Sequence, residues 1–457
     1  MSARVVILGG GVSGLGMAWA LAGQGVSVDV LEAEPIVGGL ARTIRDDGYC
    51  LDLGPHSFFS EDEGVLRKVL ALFDEPLEPS PRRVKFLYRG KYLDYPLTPR
   101  SVMQMGPGPG IRIAASALRQ KLLPYRSPTM GTPIETVEDW AISSFGRHLF
   151  EEFFKPYTEQ FWKVPCTELS SRSIPSNTRM SFTNTLRVLL SSATAEEDPS
   201  LVEREMLPTY YPRTGFGEVP ERIAAAVRAA GGRVHVGCRA LEVCGNGGGM
   251  RVVYERGGIR EEMACTQVVS TIPLNALAAM LRPSPDPETL AAAQCLEYRA
   301  LVVLGMVTQR QDILGCGYVY VLNRPYNRVS EMNEFSASTS PQGENTLSVE
   351  IPCFVGSPLW NAGAEEVFDL CSASLAADGL LLPGDVKRLL LARAPAAYPV
   401  YRKDYAEHLE RVQGYLAQRN NVWSLGRCGE LMYMDIDKCL ARAFALAERI
   451  LPALAVT

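Results

Sequence analysis

Two short apolar runs near the start of the chain flank a glycine-rich turn and a helical pattern. Residues 3–8 are mostly β-branched and apolar, which predicts a strand buried on both faces. Residues 12–23 are rich in Ala, Leu and Met and predict a helix, and residues 27–31 predict a second strand. Together they have the size of one βαβ unit, the building block of a parallel sheet.

The turn between the first strand and the helix has the spacing GxGxxG. Gly9 permits the tight turn, Gly11 lets a pyrophosphate approach the backbone, and Gly14 lets the helix pack closely on the sheet. The first amides of the helix, at Val12 and Ser13, would face the same phosphates. The turn therefore predicts a dinucleotide site, whereas a lone glycine-rich turn would fit many other α/β proteins.

An acidic residue and a second glycine loop complete this pattern. Glu32, followed by Ala33, ends the second strand, where a carboxylate can accept hydrogen bonds from ribose hydroxyls. The loop that follows brings more backbone against a cofactor, and its candidate contacts are Gly38, Gly39, Leu40 and Arg42. The GxGxxG spacing alone does not distinguish NAD from FAD.

The rest of the chain predicts two interleaved domains. A hairpin is predicted at 84–95 and helices across 111–160, and further strands at 251–254, 267–272, 299–307, 317–322, 346–352 and 421–426. Residues 231–236 and 240–243 are predicted to pair with each other as strands. We predict a dinucleotide-binding domain from 1–80, 210–298 and 415–457, and a substrate domain from 81–209 and 299–414.

Composition narrows the class of protein. The chain has 457 residues, 47% of them hydrophobic, and a net charge of −5, which is typical of a globular protein and gives no basis for nucleic-acid binding. Eleven cysteines without a CxxC pair indicate neither a metal site nor a disulfide framework. With no long apolar stretch and no leader pattern, we expect a cytoplasmic protein for which a membrane partner is not expected, and the sequence leaves peripheral membrane contact open. The sequence does not predict the oligomeric state.

Four segments carry a family resemblance. They are Gly54-Pro55-His56, Pro156-Tyr157-Thr158-Glu159, Arg328-Val-Ser-Glu331 and residues 426–437. Together they resemble the flavin amine oxidase and protoporphyrinogen-oxidase-like superfamily, with motifs similar to UDP-galactopyranose mutase. The resemblance implies an α/β fold with a Rossmann-like FAD-binding domain of the GR2 type and an inserted α+β substrate domain with an antiparallel sheet and a helical region. It also implies noncovalent FAD, contacted by Gly54, Pro55, Ala240, Gly426, Arg427, Asp435, Ile436 and Asp437.

Two residues are candidates for catalysis. The resemblance places His56 near the reactive edge of the flavin, where a histidine of ordinary pKa could donate a hydrogen bond or relay a proton; the alternative is a histidine that only satisfies loop backbone. Arg328 could clamp an anion or stabilise a reduced flavin, and the alternative is an ion pair with Glu331. In a strand these two side chains point to opposite faces, which weakens that alternative.

Candidate substrate contacts are less well defined. Tyr157 and Tyr401 could line a substrate cavity or pack in the core, and Arg179 is an approximate counterpart of the substrate arginine in the mutase group. The basic residues Arg82, Arg83 and Lys85 could attract an anion or form a solvated face.

The resulting hypothesis is an FAD-dependent oxidoreductase that acts on a small-molecule substrate. It would dehydrogenate an amine, an amino sugar or a sugar nucleotide by hydride transfer to flavin N5. The alternatives are a redox-neutral sugar-nucleotide mutase that uses reduced FAD, and a flavin-binding protein without turnover.

Overall fold

A computed structural model describes residues 3–77, 79–80, 83–95, 99–122, 134–174, 207–245 and 249–455. The predicted βαβ unit forms the centre of a five-stranded parallel sheet. Its strands, in spatial order, are β20 (Val422–Ser424), β13 (Gln267–Ser270), β1 (Arg4–Leu8), β2 (Ser27–Leu31) and β9 (Arg233–His235). Residues 5–8 of β1 are fully buried, as a strand covered on both faces requires.

A four-stranded sheet is formed by segments that alternate along the chain with strands of the parallel sheet. Its order is β12 (Ile259–Cys265), β11 (Met250–Arg256), β10 (Cys238–Cys244) and β14 (Leu281–Arg282). The prediction that 231–236 pairs with 240–243 is therefore wrong: β9 pairs with β2, and β10 pairs with β11. The chain leaves the parallel sheet at Gly237, whose φ is +64°, so these adjacent runs enter different sheets.

A seven-stranded sheet forms the floor of the other half. Its order is β19 (Val386–Val400), β15 (Glu297–Thr308), β18 (Asn345–Cys353), β17 (Arg328–Glu331), β16 (Tyr318–Val321), β6 (Val84–Tyr88) and β7 (Lys91–Asp94). All neighbours are antiparallel except β16 and β6. The predicted hairpin at 84–95 is confirmed as β6 and β7. Two small pairs are β3 (Thr43–Asp46) with β4 (Tyr49–Asp52) and β5 (Pro79–Ser80) with β8 (Thr209–Tyr210).

Helices cover both halves. Those that pack around the parallel sheet and its neighbour are α1 (Val12–Ala22), α2 (Glu63–Leu70), α8 (Glu218–Ala229), α9 (Leu274–Met280), α10 (Pro287–Gln294), α13 (Tyr405–Ala417), α14 (Gly426–Gly429) and α15 (Ile436–Ala455). Those of the other half are α3 (Pro99–Gln104), α4 (Pro107–Leu122), α5 (Val137–Phe145), α6 (Arg147–Leu149), α7 (Lys155–Trp162), α11 (Pro358–Asn361) and α12 (Ala364–Ala377), with a π-helical turn at Phe150–Phe154.

Each half is stabilised by an apolar cluster of its own. One cluster joins α1, α8 and α15 around Leu15, Ile223 and Leu440, all fully buried. Another cluster joins the seven-stranded sheet to the helices between 99 and 162. A cleft lies where the loops after β4 and β20 meet strands β16, β17 and β19.

Candidate active site

The two glycine loops are joined through their backbones. The Gly9 amide donates to the Leu31 carbonyl over 2.9 Å, and the Gly38 amide donates to the Gly10 carbonyl over 2.8 Å. A Cβ at Gly14 would lie 2.0 Å from the Gly9 carbonyl oxygen, so no other residue allows the helix to start this close to the strand. The sequence assigned Gly14 this packing role, and the geometry agrees with it.

The start of α1 leaves room for a phosphate. A Cβ at Gly11 would meet nothing closer than the Gly39 Cα at 3.9 Å. The helix has no side-chain cap and no acidic residue in its first turn, which contains Val12 and Ser13. An uncapped helix start carries positive partial charge and amide donors, so this cradle fits the pyrophosphate of a dinucleotide.

Glu32 lies at the end of β2, beside this cradle, with 8% of its surface exposed. Its carboxylate accepts hydrogen bonds from the Gly10 amide over 2.6 Å and from the Glu34 amide over 2.8 Å. A carboxylate has about four lone-pair positions, so capacity remains for ribose hydroxyls. Burial raises the pKa of Glu32 above its ordinary value. Ala33 follows directly, and Ala240 lies two residues past Cys238, whose amide donates to the Glu32 carbonyl.

Arg42 fixes the second glycine loop in place. Its Nη1 donates to the Gly39 carbonyl over 2.9 Å, and its Nη2 donates to the Arg393 carbonyl on β19 over 2.8 Å. Leu40 packs against the apolar cluster that contains Leu51 and Leu53. These contacts tie the cofactor loop to the seven-stranded sheet.

Residues 426–437 meet the same cradle from the other end of the chain. Gly426 has a φ of +82°, and a Cβ there would lie 2.3 Å from the Ser13 Oγ, so the segment docks directly on the start of α1. Ile436 and Asp437 open helix α15, and Asp437 accepts a hydrogen bond from the Ser60 hydroxyl over 3.4 Å. The structure thus brings both predicted cofactor segments together.

His56 lines the cleft, with its ring stacked on Phe216 at a centroid distance of 5.3 Å. Burial, together with the charges of Arg427 and Arg328, lowers the pKa of His56 to about 4. The ring is therefore neutral at neutral pH. Its Nδ1 lies 2.9 Å from the Gly54 carbonyl and must donate there, which leaves Nε2 as an acceptor. The contact with Gly54 is the loop-backbone role that the sequence also allowed for His56, and in this tautomer Nε2 can relay a proton by accepting it.

The loop that carries His56 is anchored by a residue that sequence reasoning missed. Asp52 is 1% exposed and accepts hydrogen bonds from the hydroxyls of Thr43, over 2.5 Å, and Tyr211, over 2.7 Å. The Phe216 amide also donates to it, over 3.2 Å. Burial raises the pKa of Asp52 to about 6. No short motif distinguishes this aspartate, because its partners lie up to 164 residues away.

Arg328 points into the cleft from β17 and has a different partner from the one considered in the sequence. Its Nη2 lies 2.5 Å from Oε2 of Glu350, the residue opposite it on β18, and donates to the Tyr398 hydroxyl over 2.9 Å. The Glu331 carboxylate instead accepts hydrogen bonds from the Ile313 and Leu314 amides, so the ion pair with Arg328 is excluded. Although burial opposes it, the Glu350 carboxylate holds the pKa of Arg328 well above its usual range.

Aromatic residues form the wall beside Arg328. The rings of Tyr398 and Tyr433 stack at 6.3 Å, and the Arg427 guanidinium lies over both, 5.7 Å and 4.7 Å from their centroids. Arg427 also donates to the Met434 carbonyl over 2.5 Å. Tyr398 was missed in the sequence because a tyrosine in a strand has no distinguishing pattern.

The structure separates the candidate substrate residues. Tyr157 packs against the apolar cluster of the half that contains the seven-stranded sheet, with its ring 5.7 Å from the ring of Tyr320, which lines the cleft, and burial raises the pKa of its hydroxyl. Tyr401 is 7% exposed, and its hydroxyl accepts a hydrogen bond from the Tyr433 amide over 2.7 Å, so it supports the wall from behind. Arg179 and Arg82 lie outside the described residues. Arg83 lines the cleft and pairs with Glu334 over 2.9 Å, whereas Lys85 lies over the Tyr92 ring.

The cleft as a whole is strongly polar and rich in positive charge. It opens to solvent, and its lining includes three arginines, Arg83, Arg328 and Arg427. Glu334 and Asp435 are the acidic residues among the described lining. Gly54, Pro55 and Ile436 supply lining backbone next to His56. In the described part of the chain, no helix is long and apolar enough to cross a membrane.

Comparison with known proteins gives one family and several distant relatives. The model of the family described as flavin containing amine oxidoreductase matches residues 12–374. A probable UDP-galactopyranose mutase of Klebsiella pneumoniae is 27% identical over 169 residues, which is 36% of this chain and 42% of that protein. The chloroplastic protoporphyrinogen oxidase of Nicotiana tabacum is 25% identical over 323 residues, 66% of this chain and 56% of that protein. The chain thus spans less than two thirds of either relative's length.

Solved structures resemble this chain in fold over nearly its whole length, although their sequence identity to it is low. The crystal structure of a reduced UDP-galactopyranose mutase superposes with a TM-score of 0.81 at 19% identity, covering 99% of this chain and 94% of the other. At this identity the likeness establishes the α/β fold with mixed sheets that the sequence predicted, and nothing about the reaction.

Proposed function

Because the chain belongs to the flavin containing amine oxidoreductase family, with FAD as its cofactor, we propose that it dehydrogenates a phosphate-bearing sugar such as a sugar nucleotide. The observation that carries this proposal is the placement of Arg83 and Arg328 in one cleft beside the dinucleotide cradle. Guanidinium groups bind phosphates through paired, charge-assisted hydrogen bonds.

The same charges argue against an amine as the substrate. A protonated amine needs a carboxylate partner, and two carboxylates at the cleft are already engaged by guanidinium groups, Glu334 by Arg83 and Glu350 by Arg328. Like charges repel at these distances, so an anionic substrate is favoured among the classes considered from the sequence.

Each residue of the cleft has a defined task in this proposal. Glu350 and the Tyr398 hydroxyl orient the Arg328 guanidinium, which binds the substrate phosphate. The neutral Nε2 of His56 accepts the proton of the sugar hydroxyl that is oxidised, because its Nδ1 is committed to the Gly54 carbonyl. FAD, when bound, supplies the site that accepts the hydride at N5.

A second candidate is a redox-neutral rearrangement of a sugar nucleotide that requires reduced FAD. The observation in its favour is that Arg328 and Arg427, both buried, place positive charge where the resemblance locates the flavin, which stabilises the reduced and negatively charged cofactor. A flavin-binding protein without turnover is the remaining alternative.

Flavin absorbance distinguishes these functions. We expect UDP-galactose to perturb or bleach the flavin spectrum under anaerobic conditions, and putrescine to leave it unchanged. Bleaching by the sugar nucleotide supports dehydrogenation, whereas conversion of the sugar only after dithionite reduction supports the redox-neutral candidate. A perturbed spectrum with no conversion in either redox state supports the binding protein.

Variants test the role of the arginine. Arg328→Gln should weaken binding of UDP-galactose about 10- to 100-fold, the range for a lost charge-assisted hydrogen bond, with FAD retained. Arg251→Gln, at an exposed arginine on β11 paired with Glu262, is the matched control and should change nothing. Bleaching by putrescine with no response to UDP-galactose would overturn the proposal.

A further inference from the structure

A long stretch of the chain carries only positive charge. Residues 95–134 include Arg100, Arg112, Arg119, Lys121 and Arg126 and contain neither Asp nor Glu, although the whole chain has a net charge of −5. Helices α3 and α4 occupy the described part of this stretch. Such charge segregation in an acidic protein is a sequence pattern typical of segments that bind an anionic partner.

Helix α4 has apolar residues on two faces. Ile113 is 2% exposed and faces the core with Val102 and Met105. On the opposite side, Ile111 is 69% exposed and Leu118 is 49% exposed, and Met103 of α3 is 78% exposed. Since α4 already has a core-facing side, these outward residues keep about half or more of their surface outside the packing of the described residues.

The outward face of α4 has a regular pattern. Among the described side chains of α4, the exposed residues follow spacings of three and four and are Pro107, Gly108, Ile111, Arg112, Ala115, Leu118 and Arg119. The two large apolar side chains are each followed by an arginine. We call this surface, together with Met103, the α4 face. An apolar stripe bordered by arginines is the pattern of a helix that lies in the interface of a bilayer.

We propose that the α4 face docks the protein on a membrane surface of anionic phospholipid. Ile111, Leu118 and Met103 would enter the headgroup and acyl boundary, while Arg112 and Arg119 pair with lipid phosphates. A symmetric contact with a second copy is disfavoured, because it would bring the arginines of two identical faces together. The sequence predicted no spanning segment and left peripheral membrane contact open, and docking of this kind needs no spanning segment.

Vesicle co-sedimentation of the intact flavoprotein tests the proposal. We expect binding to vesicles of phosphatidylglycerol and phosphatidylcholine, little binding to phosphatidylcholine alone, and weakening with salt. The double variant Ile111→Ser/Leu118→Ser should reduce binding at least tenfold. Arg112→Gln and Arg119→Gln should each reduce it about fivefold.

The control variant is Ile259→Ser, at an equally exposed isoleucine, 67% accessible, on β12 far from this face in the sequence. It should bind vesicles as the wild type does, and flavin absorbance per chain shows that every variant is folded. Equal binding to both vesicle types, no binding to either, or unchanged binding of the α4 variants would overturn the proposal. So would a dimer, detected by analytical ultracentrifugation, that only the Ile111→Ser/Leu118→Ser variant disrupts.

Discussion

The pKa of His56 reports the electrostatics of the cleft, and it can be measured directly because the signals of only four histidines have to be distinguished. Burial, with the charges of Arg427 and Arg328, lowers its pKa from 6.5 to about 4. At about 1.4 kcal/mol per unit, this shift corresponds to an upper limit of about 3.5 kcal/mol. The ring faces an open cleft, so solvent screening reduces the measured value below this limit.

The sign of the effect follows from proton binding in the two states. Between pH 6.5 and about 4 the unfolded chain holds a proton on this histidine and the folded chain does not. The free energy of unfolding should therefore fall as the pH falls through this window, and His56 should contribute no pH dependence above it.

The assay is NMR of the protein labelled with ¹³C-histidine. The variant His56→Gln assigns the His56 signal, which should not titrate between about pH 5 and 8. In urea unfolding, the same variant should lose part of the decline in stability below pH 6.5. His408→Gln, on helix α13 and 3.3 Å from Asp404, is the control and should keep that part of the decline. A His56 midpoint near 6.5 would refute the reasoning and restore a donating histidine.

Three further predictions concern the cofactor domain. Gly14→Ala places a Cβ 2.0 Å from the Gly9 carbonyl and should abolish FAD retention in gel filtration. Its control is Gly414→Ala, at a helical position with open space around it, which should raise the free energy of unfolding in urea by about 0.5–1 kcal/mol. Glu32→Ala should weaken FAD binding about 10- to 100-fold by flavin fluorescence, while Glu34→Ala should not; equal loss in both would contradict the ribose assignment. Asp29→Asn should lower the free energy of unfolding at neutral pH by about 2 kcal/mol. Although burial opposes the shift, hydrogen bonds from Arg233, Arg4 and His235 hold the pKa of Asp29 at about 2, below the ordinary 3.8. The stabilising contribution of Asp29 is therefore present above pH 3.8 and is lost as the pH falls through 2. A urea midpoint within error of the wild type would exclude this role for Asp29.

The cofactor cradle could be predicted from the sequence because its geometry is local. Gly9, Gly11 and Gly14 act within one strand–turn–helix unit, so their spacing alone indicates the backbone they form. Residues 426–437 could be joined to that unit only through the family resemblance. The contact between Gly426 and Ser13 spans the whole chain, and no periodicity in the sequence reveals it.

The charged wall of the cleft was harder to predict. Arg328 could be identified, but its partner Glu350 lies on the neighbouring strand, and the register of β17 on β18 decides which carboxylate it meets. The protonation state of His56 also depends on Arg427, which lies far away in the sequence. The prediction of strand pairing also fails where it depends on distant residues, as the wrong pairing of 231–236 with 240–243 illustrates. Short strands have similar sequences, and only tertiary packing decides which of them pair.

The order of the parallel sheet has a consequence for how the protein is made. Strands β1 and β2 are synthesised first, but β20 at 422–424 and helix α15 at 436–455 complete the same layer. A nascent chain must therefore carry an unfinished sheet, with the edge of β13 uncovered from the synthesis of residues 267–270 until that of residues 422–424. Loading of the cofactor becomes a late event, and a ribosome that stalls before residue 422 would leave a product that quality-control proteases recognise by its exposed edge.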